Sequence, residues 1–364
     1  MKKEIAFSLV LALMLGLLAG CAGTAVISLN GCTCPTECPT HNPTEGITPD
    51  PTDPTDPSDP SDPVNPPAEG ELKTGLAIVS NASKSADASA AEFDVTLVAV
   101  TVDKNNVIEQ CIIDSIGTKV EFSATGAITN IPENIKTKNE LGDSYGMVNY
   151  GGAKYEWYQQ AAALADYAEG KTIDQLKNGS ITNGYATEGS DLASSATIYL
   201  GGYVSAIEVA VNNAKYLGAT TGDELRLAAI PSASGTDAGD KDGTAQLDVD
   251  VTALTVKDGK ITSCYIDSLQ AKVNFDATGK ITSDVSSFKT KNELGDAYNM
   301  VLYGGAKYEW YVQAANFAAY VTGKTAAEVS GIAVSQGKPS DADLSAGVTI
   351  AIGGFQNLIA KALA

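Results

Sequence analysis

Residues 92–102, EFDVTLVAVTV, alternate apolar and polar side chains and are rich in β-branched residues, the pattern of a strand with one buried face. Segments 106–113 and 119–123 read as two further strands, with turns at Lys104-Asn105 and Thr125-Gly126. The same reading returns at 246–256, 260–266 and 272–275, with a hairpin at Asp258-Gly259, a dipeptide suited to the positive φ of a tight β-turn. The period changes to that of a helix at 153–167 and 306–321, and Gly170 and Gly323 stand where a C-terminal cap belongs. A last helix is predicted over 197–213 and again over 350–363. The expected fold class is α+β, with a small antiparallel sheet of about four strands and packed helices in each half.

The two halves repeat one another. KTKNELGD at 136–143 recurs at 289–296, and YGGAKYEWY at 150–158 recurs at 303–311, an offset of 153 (289 − 136) in both cases. A solenoid repeat has a period of about 20–50 residues, so this one reads as a duplicated domain. The expected organisation is two tandem homologous domains, residues 71–218 and 219–364, behind an N-terminal segment of another kind.

That segment begins with Lys2 and Lys3 and an uncharged apolar run over 5–18. The run is short of the ~20 residues a membrane span needs and fits a signal peptide, residues 1–20. It ends in Leu18, Ala19, Gly20 and Cys21, which resembles the lipobox of bacterial lipoproteins and implies lipidation at Cys21; an ordinary cleaved signal is the alternative. Residues 21–70 follow as a stalk, with Pro, Thr, Asp and Ser in a DPT/DPS repeat over 39–67. Such a tract has no side chains for a core and is expected to be disordered and extended. At ~3.1 Å per residue it would reach on the order of 90 Å, which suits a thick Gram-positive wall. The expected location is the extracellular face of the cell membrane.

Composition narrows the chemistry. With 24 Lys and Arg against 44 Asp and Glu, the formal charge is −20, which argues against nucleic acid as a partner because phosphate contacts need clustered cations. The single histidine, His41, lies beside the stalk, so neither half has a Ser-His-Asp triad or a His-based zinc site. Cys32, Cys34, Cys38 and His41 match no metal spacing; disulfides or free thiols are the other readings, and no metal site is assigned. Cys111 and Cys264 occupy equivalent strand positions, CIIDS and CYIDS, and read as small buried side chains.

Each half ends in a short pattern before the last helix: Asp191, Leu192, Ala193, Ser194, Ser195, Ala196, Thr197, and Asp343, Leu344, Ser345, Ala346, Gly347, Val348, Thr349. Asp191 or Ser194 would cap the helix, and a helix N-terminus also suits a phosphate. The bland reading is an ordinary N-cap. The pattern resembles the Asp-x-x-Ser/Thr-Gly-Ala-Thr motif of the FMN-binding domain, found in subunits of sodium-pumping NADH:quinone reductase. The whole arrangement is most similar to the flavinylated lipoproteins of Gram-positive extracellular electron transfer. Ser195 departs from the family's Gly, and Ala346 and Val348 from its Ser/Thr and Ala. The resemblance implies FMN joined to Thr197 and Thr349 by a phosphoester through a separate flavin transferase, with Asp191 and Asp343 helping to position the loop or the transfer reaction; small residues there, Ser194, Ser195 and Gly347 among them, let a bulky ligand approach the backbone.

Trp157 and Trp310, in the aromatic block that opens the middle helix, are candidates to stack on a flavin ring, or they are core residues at helical spacing. Lys154 and Lys307 are candidates to neutralise its phosphate or to bias the reduced flavin anion. Function then divides. One reading is a membrane-anchored extracellular electron carrier, fed by a quinone-linked membrane donor and passing electrons to a soluble or mineral acceptor. The alternative is a non-catalytic surface lipoprotein that adheres or binds wall polymer. A third is a noncovalent binder of a small ligand. No residue set points to enzymatic turnover by the polypeptide itself.

Overall fold

The computed structural model describes residues 69–364. The expected signal segment, Cys21, the Pro-rich stalk and Cys32, Cys34, Cys38 and His41 lie outside the described residues. Among the described residues no helix is long and apolar enough to cross a membrane.

The chain runs through β1 (Glu71–Asn81), β2 (Ala90–Val102), β3 (Ile108–Phe122), β4 (Ile128–Asn130), α1 (Lys138–Leu141), α2 (Trp157–Ala168) and α3 (Ile173–Lys177). It continues with β5 (Ile181–Thr182), β6 (Tyr185–Ala186), α4 (Asp191–Ser195), α5 (Gly201–Asn212) and β7 (Lys215–Thr220). The second half comprises β8 (Glu224–Thr236), β9 (Gly243–Lys257), β10 (Lys260–Phe275), α6 (Lys291–Leu294), α7 (Met300–Gly304) and α8 (Trp310–Val321). It closes with α9 (Ala326–Ser330), β11 (Val334–Ser335), β12 (Lys338–Pro339), α10 (Ala342–Gly347) and α11 (Gly353–Ala362). The result is a mixed α/β structure with small antiparallel sheets. The main ones are a five-stranded sheet, β4-β3-β2-β1-β7, and a three-stranded sheet, β10-β9-β8.

β2 explains the layering. Phe93, Val95, Leu97 and Ala99 pack into a core that also takes Leu247, Val249, Val251 and Ala253 of β9. Val98, Val100 and Val102, on the other face, pack against Trp157, Leu164, Ile207 and Val211 of α2 and α5. The second sheet likewise carries Phe317, Phe355, Leu358 and Ile359 of α8 and α11 on its outer face. The two sheets thus face each other, and each has helices behind it. From Leu97 onward β2 is buried on both faces; alternation alone predicts one.

The contact between halves is reciprocal. Phe122 stacks on Phe275, its counterpart in the repeat, with ring centroids 4.1 Å apart. Ile128 N–H donates to Asp237 and Ile281 N–H to Asp87, at 2.7 and 2.9 Å. Ala88 N–H donates to Gly279 O and Ala238 N–H to Gly126 O, both at 2.7 Å. Equivalent positions of the two halves thus meet one another, as they do across an isologous interface.

Several expectations need correction. Segments 106–113 and 119–123 are one strand, β3, and 260–266 with 272–275 are one strand, β10. The intervening polar residues stay in the ladder because their partner strands run unbroken beside them. β1, β7 and β8 were not foreseen; all three pair with strands distant from their own loops or lie outside the alternating runs. The middle helices begin at Trp157 and Trp310, not at 153 and 306, because Glu156 and Glu309 hold extended N-cap backbone. The hairpin residues Asp258 and Gly259 have φ of 52° and 74°, and Gly170 and Gly323 follow their helices at 73° and 85°, as their turn roles require.

The KTKNELGD block forms a capped turn that ties α1 to β3. Thr137 Oγ1 accepts from Glu140 N–H at 3.2 Å, and Glu140 accepts from Thr137 N–H at 2.8 Å. Asn139 donates its backbone N–H to Asp114 and its amide to Ile113 O. The second copy repeats this at Thr290, Asn292, Glu293 and Asp267. Burial raises the Asp267 carboxyl from 3.8 to about 6 despite hydrogen bonds from Thr290, Asn292 and Ser268. Below pH 4 the group is protonated folded or unfolded; between 4 and 6 the folded state holds the proton more tightly. Stability from this group therefore falls as pH rises through that window, by up to about 3 kcal/mol at 1.36 per pH unit. Asp267→Asn removes that slope and is more stable than the parent at pH 7.5. Urea midpoints at pH 4.5, 6 and 7.5 check this; parallel curves for both proteins would contradict it.

Candidate functional site

The Asp-x-x-small-small-small-Thr motif is a helix of its own, α4 in the first half and α10 in the second. It does not begin the last helix. Ala196 and Val348 turn to extended backbone, with φ −131° and −132°, and α5 and α11 start only at Gly201 and Gly353. Thr197 and Thr349 therefore stand on a bend between two helices, each four residues before the second. Nor do Asp191 and Ser194 cap. Ser190 does, accepting from Ala193 N–H at 3.3 Å, while Ser194 Oγ donates back to Asp191 O at 2.7 Å. In the second half Asp341 caps, accepting from Leu344 N–H at 3.0 Å, and Asp343 lies exposed in the first turn. A cap must precede the first helical residue on extended backbone; Ser190 and Asp341 do, and the motif aspartates come one or two residues too late.

A buried glutamine holds each bend. Gln160 is fully buried, and its Oε1 accepts from Thr197 N–H at 2.8 Å, Thr197 Oγ1 at 3.1 Å and Ile198 N–H at 3.1 Å. Its Nε2 donates to Tyr155 O at 2.9 Å. Gln313, also fully buried, repeats this with Thr349 N–H at 2.8 Å, Thr349 Oγ1 at 3.1 Å and Tyr308 O at 2.7 Å. The sequence reading missed both. Their signal was a polar residue in the apolar stripe Trp157, Gln160, Ala161 and Leu164, recurring 153 residues later (313 − 160).

Lys154 and Lys307 reach the same place. Lys154 Nζ donates to Ser194 O at 3.2 Å, and Lys307 Nζ to Ala346 O at 3.1 Å. Each also lies 4.8 Å from the ring of the tyrosine beside it, Tyr155 or Tyr308. The motif threonine, its glutamine and a lysine thus converge in both halves. Thr197 is exposed and Thr349 half-buried. Ser195, half-buried, sits 3.3 Å from Ser194 Oγ. At the equivalent Gly347 a Cβ would come within 2.7 Å of the Asn316 amide, which instead donates to Gly347 O; the first half has the smaller Ala163 there and room for serine.

The tryptophans are elsewhere. Trp157 and Trp310 are 3% and 5% exposed, packed edge-on to Tyr203 and Phe355 and covered by Lys138 and Lys291 at 5.0 and 4.9 Å. They are core residues, as the helical spacing allowed, because they fall on the apolar stripe of α2 and α8. In the first half a different aromatic pair borders the bend: Tyr185 and Tyr199, rings 5.3 Å apart and both more than half exposed. The second half has Lys338 and Ala351 in those places.

Gln160→Ala leaves two backbone donors and a hydroxyl without their acceptor. The expected cost is about 1–3 kcal/mol, with faster amide exchange at Thr197 and Ile198 and no change at Thr349. Unchanged protection at both amides would show that the glutamine does not hold the bend. No protein-family model, curated protein or solved structure matches this chain.

Proposed function

We propose that this protein is a membrane-anchored extracellular electron carrier of two tandem homologous domains, with FMN esterified to Thr197 and Thr349. The observation that carries the reading is the recurrence, in both halves, of a motif threonine at an accessible bend, its hydroxyl oriented by a buried glutamine and a lysine on the neighbouring carbonyl. These residues fit a phosphate-linked group. The hydroxyl would attack the flavin-side phosphorus of a flavin phosphoanhydride held by the transferase, losing its proton to that enzyme as the anhydride P–O bond breaks and the other phosphate leaves, and Lys154 and Lys307 would face the phosphate charge. In the first half the exposed Tyr185 and Tyr199 would flank the ring; the buried tryptophans would not. FMN would supply the reversible redox chemistry and the polypeptide its placement. The lipobox cysteine and the Pro-rich tract, which enter from sequence alone, would supply the anchor and the reach to a quinone-linked donor and a soluble or mineral acceptor.

The test is coexpression with a flavin transferase. The expected protein is yellow, carries one FMN per modified threonine by intact mass, and loses colour and added mass in T197A/T349A. Unmodified mass on both C-terminal peptides from the native host would overturn the reading. A second reading, a surface-binding module, is favoured by Tyr150, in the turn before α2, and Leu302 and Tyr303, on α7, which are 91%, 70% and 83% exposed. The same mass measurement separates the two.

A further inference from the structure

A cavity opens between β7, the last strand of the first half, and elements of the second half. It measures about 610 Å³ and lies between β7, β10 and α8, within the ~300–1,000 Å³ of small-molecule sites. Three tyrosines border it: Tyr216 from β7, Tyr265 from β10 and Tyr311 from α8. Its floor is apolar, with Cys264, Ile266 and Ala318 buried. Lys215 is the one charged residue in its lining, with Nζ 5.3 Å from the centre of the Tyr265 ring.

The repeat explains how the space arose. Ala319 and Thr322 open it on α8; at the same positions of α2 the first half has Asp166 and Glu169. Glu169 reaches back over its strand and accepts from Cys111 N–H at 3.3 Å. The second half thus lacks two acidic side chains at this place and has gained an aromatic one, since Tyr265 stands where the first half has Ile112. The space is also separate from the threonine bend. Successive residues on a helix are rotated by about 100°. Tyr311, Ala315, Ala318, Ala319 and Thr322 therefore lie on one side of α8, and Gln313 and Asn316, which hold Thr349 and Gly347, on the other.

We propose that this cavity is a noncovalent binding site for a planar aromatic anion. Tyrosine rings stack on or edge against a flat π-system, and the small residues of α8 leave the depth for one. Lys215 is the only charged side chain of the lining and attracts a negatively charged substituent to the β7 side of the cavity, while Asp296, which accepts from the Tyr311 hydroxyl at 3.3 Å, and the net charge of −20 oppose an anion elsewhere. The Cys264 thiol at the floor keeps its proton, since burial pushes it up to about 12, so it does not capture the ligand covalently. This site does not depend on flavin attachment at the threonines.

The probe is anthraquinone-2-sulfonate, titrated by calorimetry into the full chain expressed without a flavin transferase. The expected result is saturable binding at one site per chain. Ala319→Asp restores the acidic residue of the first half and should weaken binding at least tenfold. Ala319→Leu fills the same space without charge and should do likewise. Lys215→Gln should weaken binding by about tenfold, or 1.4 kcal/mol, and remove most of its salt dependence. Circular dichroism and melting temperature confirm that each variant is folded. Absence of saturable binding to the parent chain overturns the proposal. So does unchanged affinity in both Ala319 variants, which would place the probe elsewhere. Unchanged affinity in Lys215→Gln overturns the choice of an anion.

Discussion

Phe122→Ala is expected to cost about 3–5 kcal/mol, the range for truncating a buried aromatic, and to weaken both halves together. Phe122 ends β3 and Phe275 ends β10, and their rings lie 4.1 Å apart with planes 2° from parallel. Both are almost fully buried in a core assembled from the inner faces of both sheets. Truncation leaves a void that neither half can fill alone, and it removes a ring–ring contact worth about 0.5–1.5 kcal/mol more. Against a typical stability of about 5–15 kcal/mol, that is a large fraction. Phe275→Ala should match it, since the pair is reciprocal. Denaturant unfolding followed by tryptophan fluorescence is well placed to check this, because Trp157 reports on one half and Trp310 on the other. One transition, shifted down in either variant, is the expected record. A loss below 1 kcal/mol, or a transition in which only one tryptophan shifts, would contradict the shared core.

The second large effect is at Gly75. This residue sits in the middle of β1 against α5, and a Cβ built on it would lie 2.1 Å from Ala210 O, 2.9 Å from Val100 Cγ2 and 3.0 Å from Ala210 C. Two of those atoms are backbone, so no side-chain rotation relieves the overlap. Gly75→Ala must push α5 off the sheet, at a cost of about 3 kcal/mol or more, the upper end for an overpacked core. The shift also travels to the candidate site. α5 begins four residues after Thr197, and Leu200 N–H and Gly201 N–H both donate to Gly184 O. Moving that helix strains the bend that Gln160 holds. The expected result is a lowered melting temperature together with lost amide protection at Thr197. A variant as stable as the parent would mean that β1 and α5 do not pack at this distance.

Local signals in the chain were good guides to local structure. Asp258-Gly259 needed only its own backbone preference to make a hairpin. Thr137 with Glu140, and Thr290 with Glu293, needed only their spacing to cap a turn. Lys154 and Lys307 were suspected from sequence and do reach the motif, although they touch its carbonyls. The motif's own geometry was less legible. A run of small residues before an apolar helix looks like one helix with a cap; what breaks it is Gln160, a side chain thirty-seven residues away in sequence. The tryptophans were ambiguous for a similar reason, because helical spacing puts a residue on a face without saying what that face meets.

The sequence by itself determined the repeated motifs, the turn chemistry and the identity of the recurring threonines, all of which rest on interactions within a few residues or on direct comparison of one half with the other. Only the tertiary structure decided that the inner faces of the two sheets bury one another, that Gln160 and Gln313 orient the threonine hydroxyls, and that an aromatic cavity opens between β7, β10 and α8. Each of these joins residues tens to more than a hundred positions apart. Burial and hydrogen-bond satisfaction there depend on which surfaces meet, and no local periodicity encodes that.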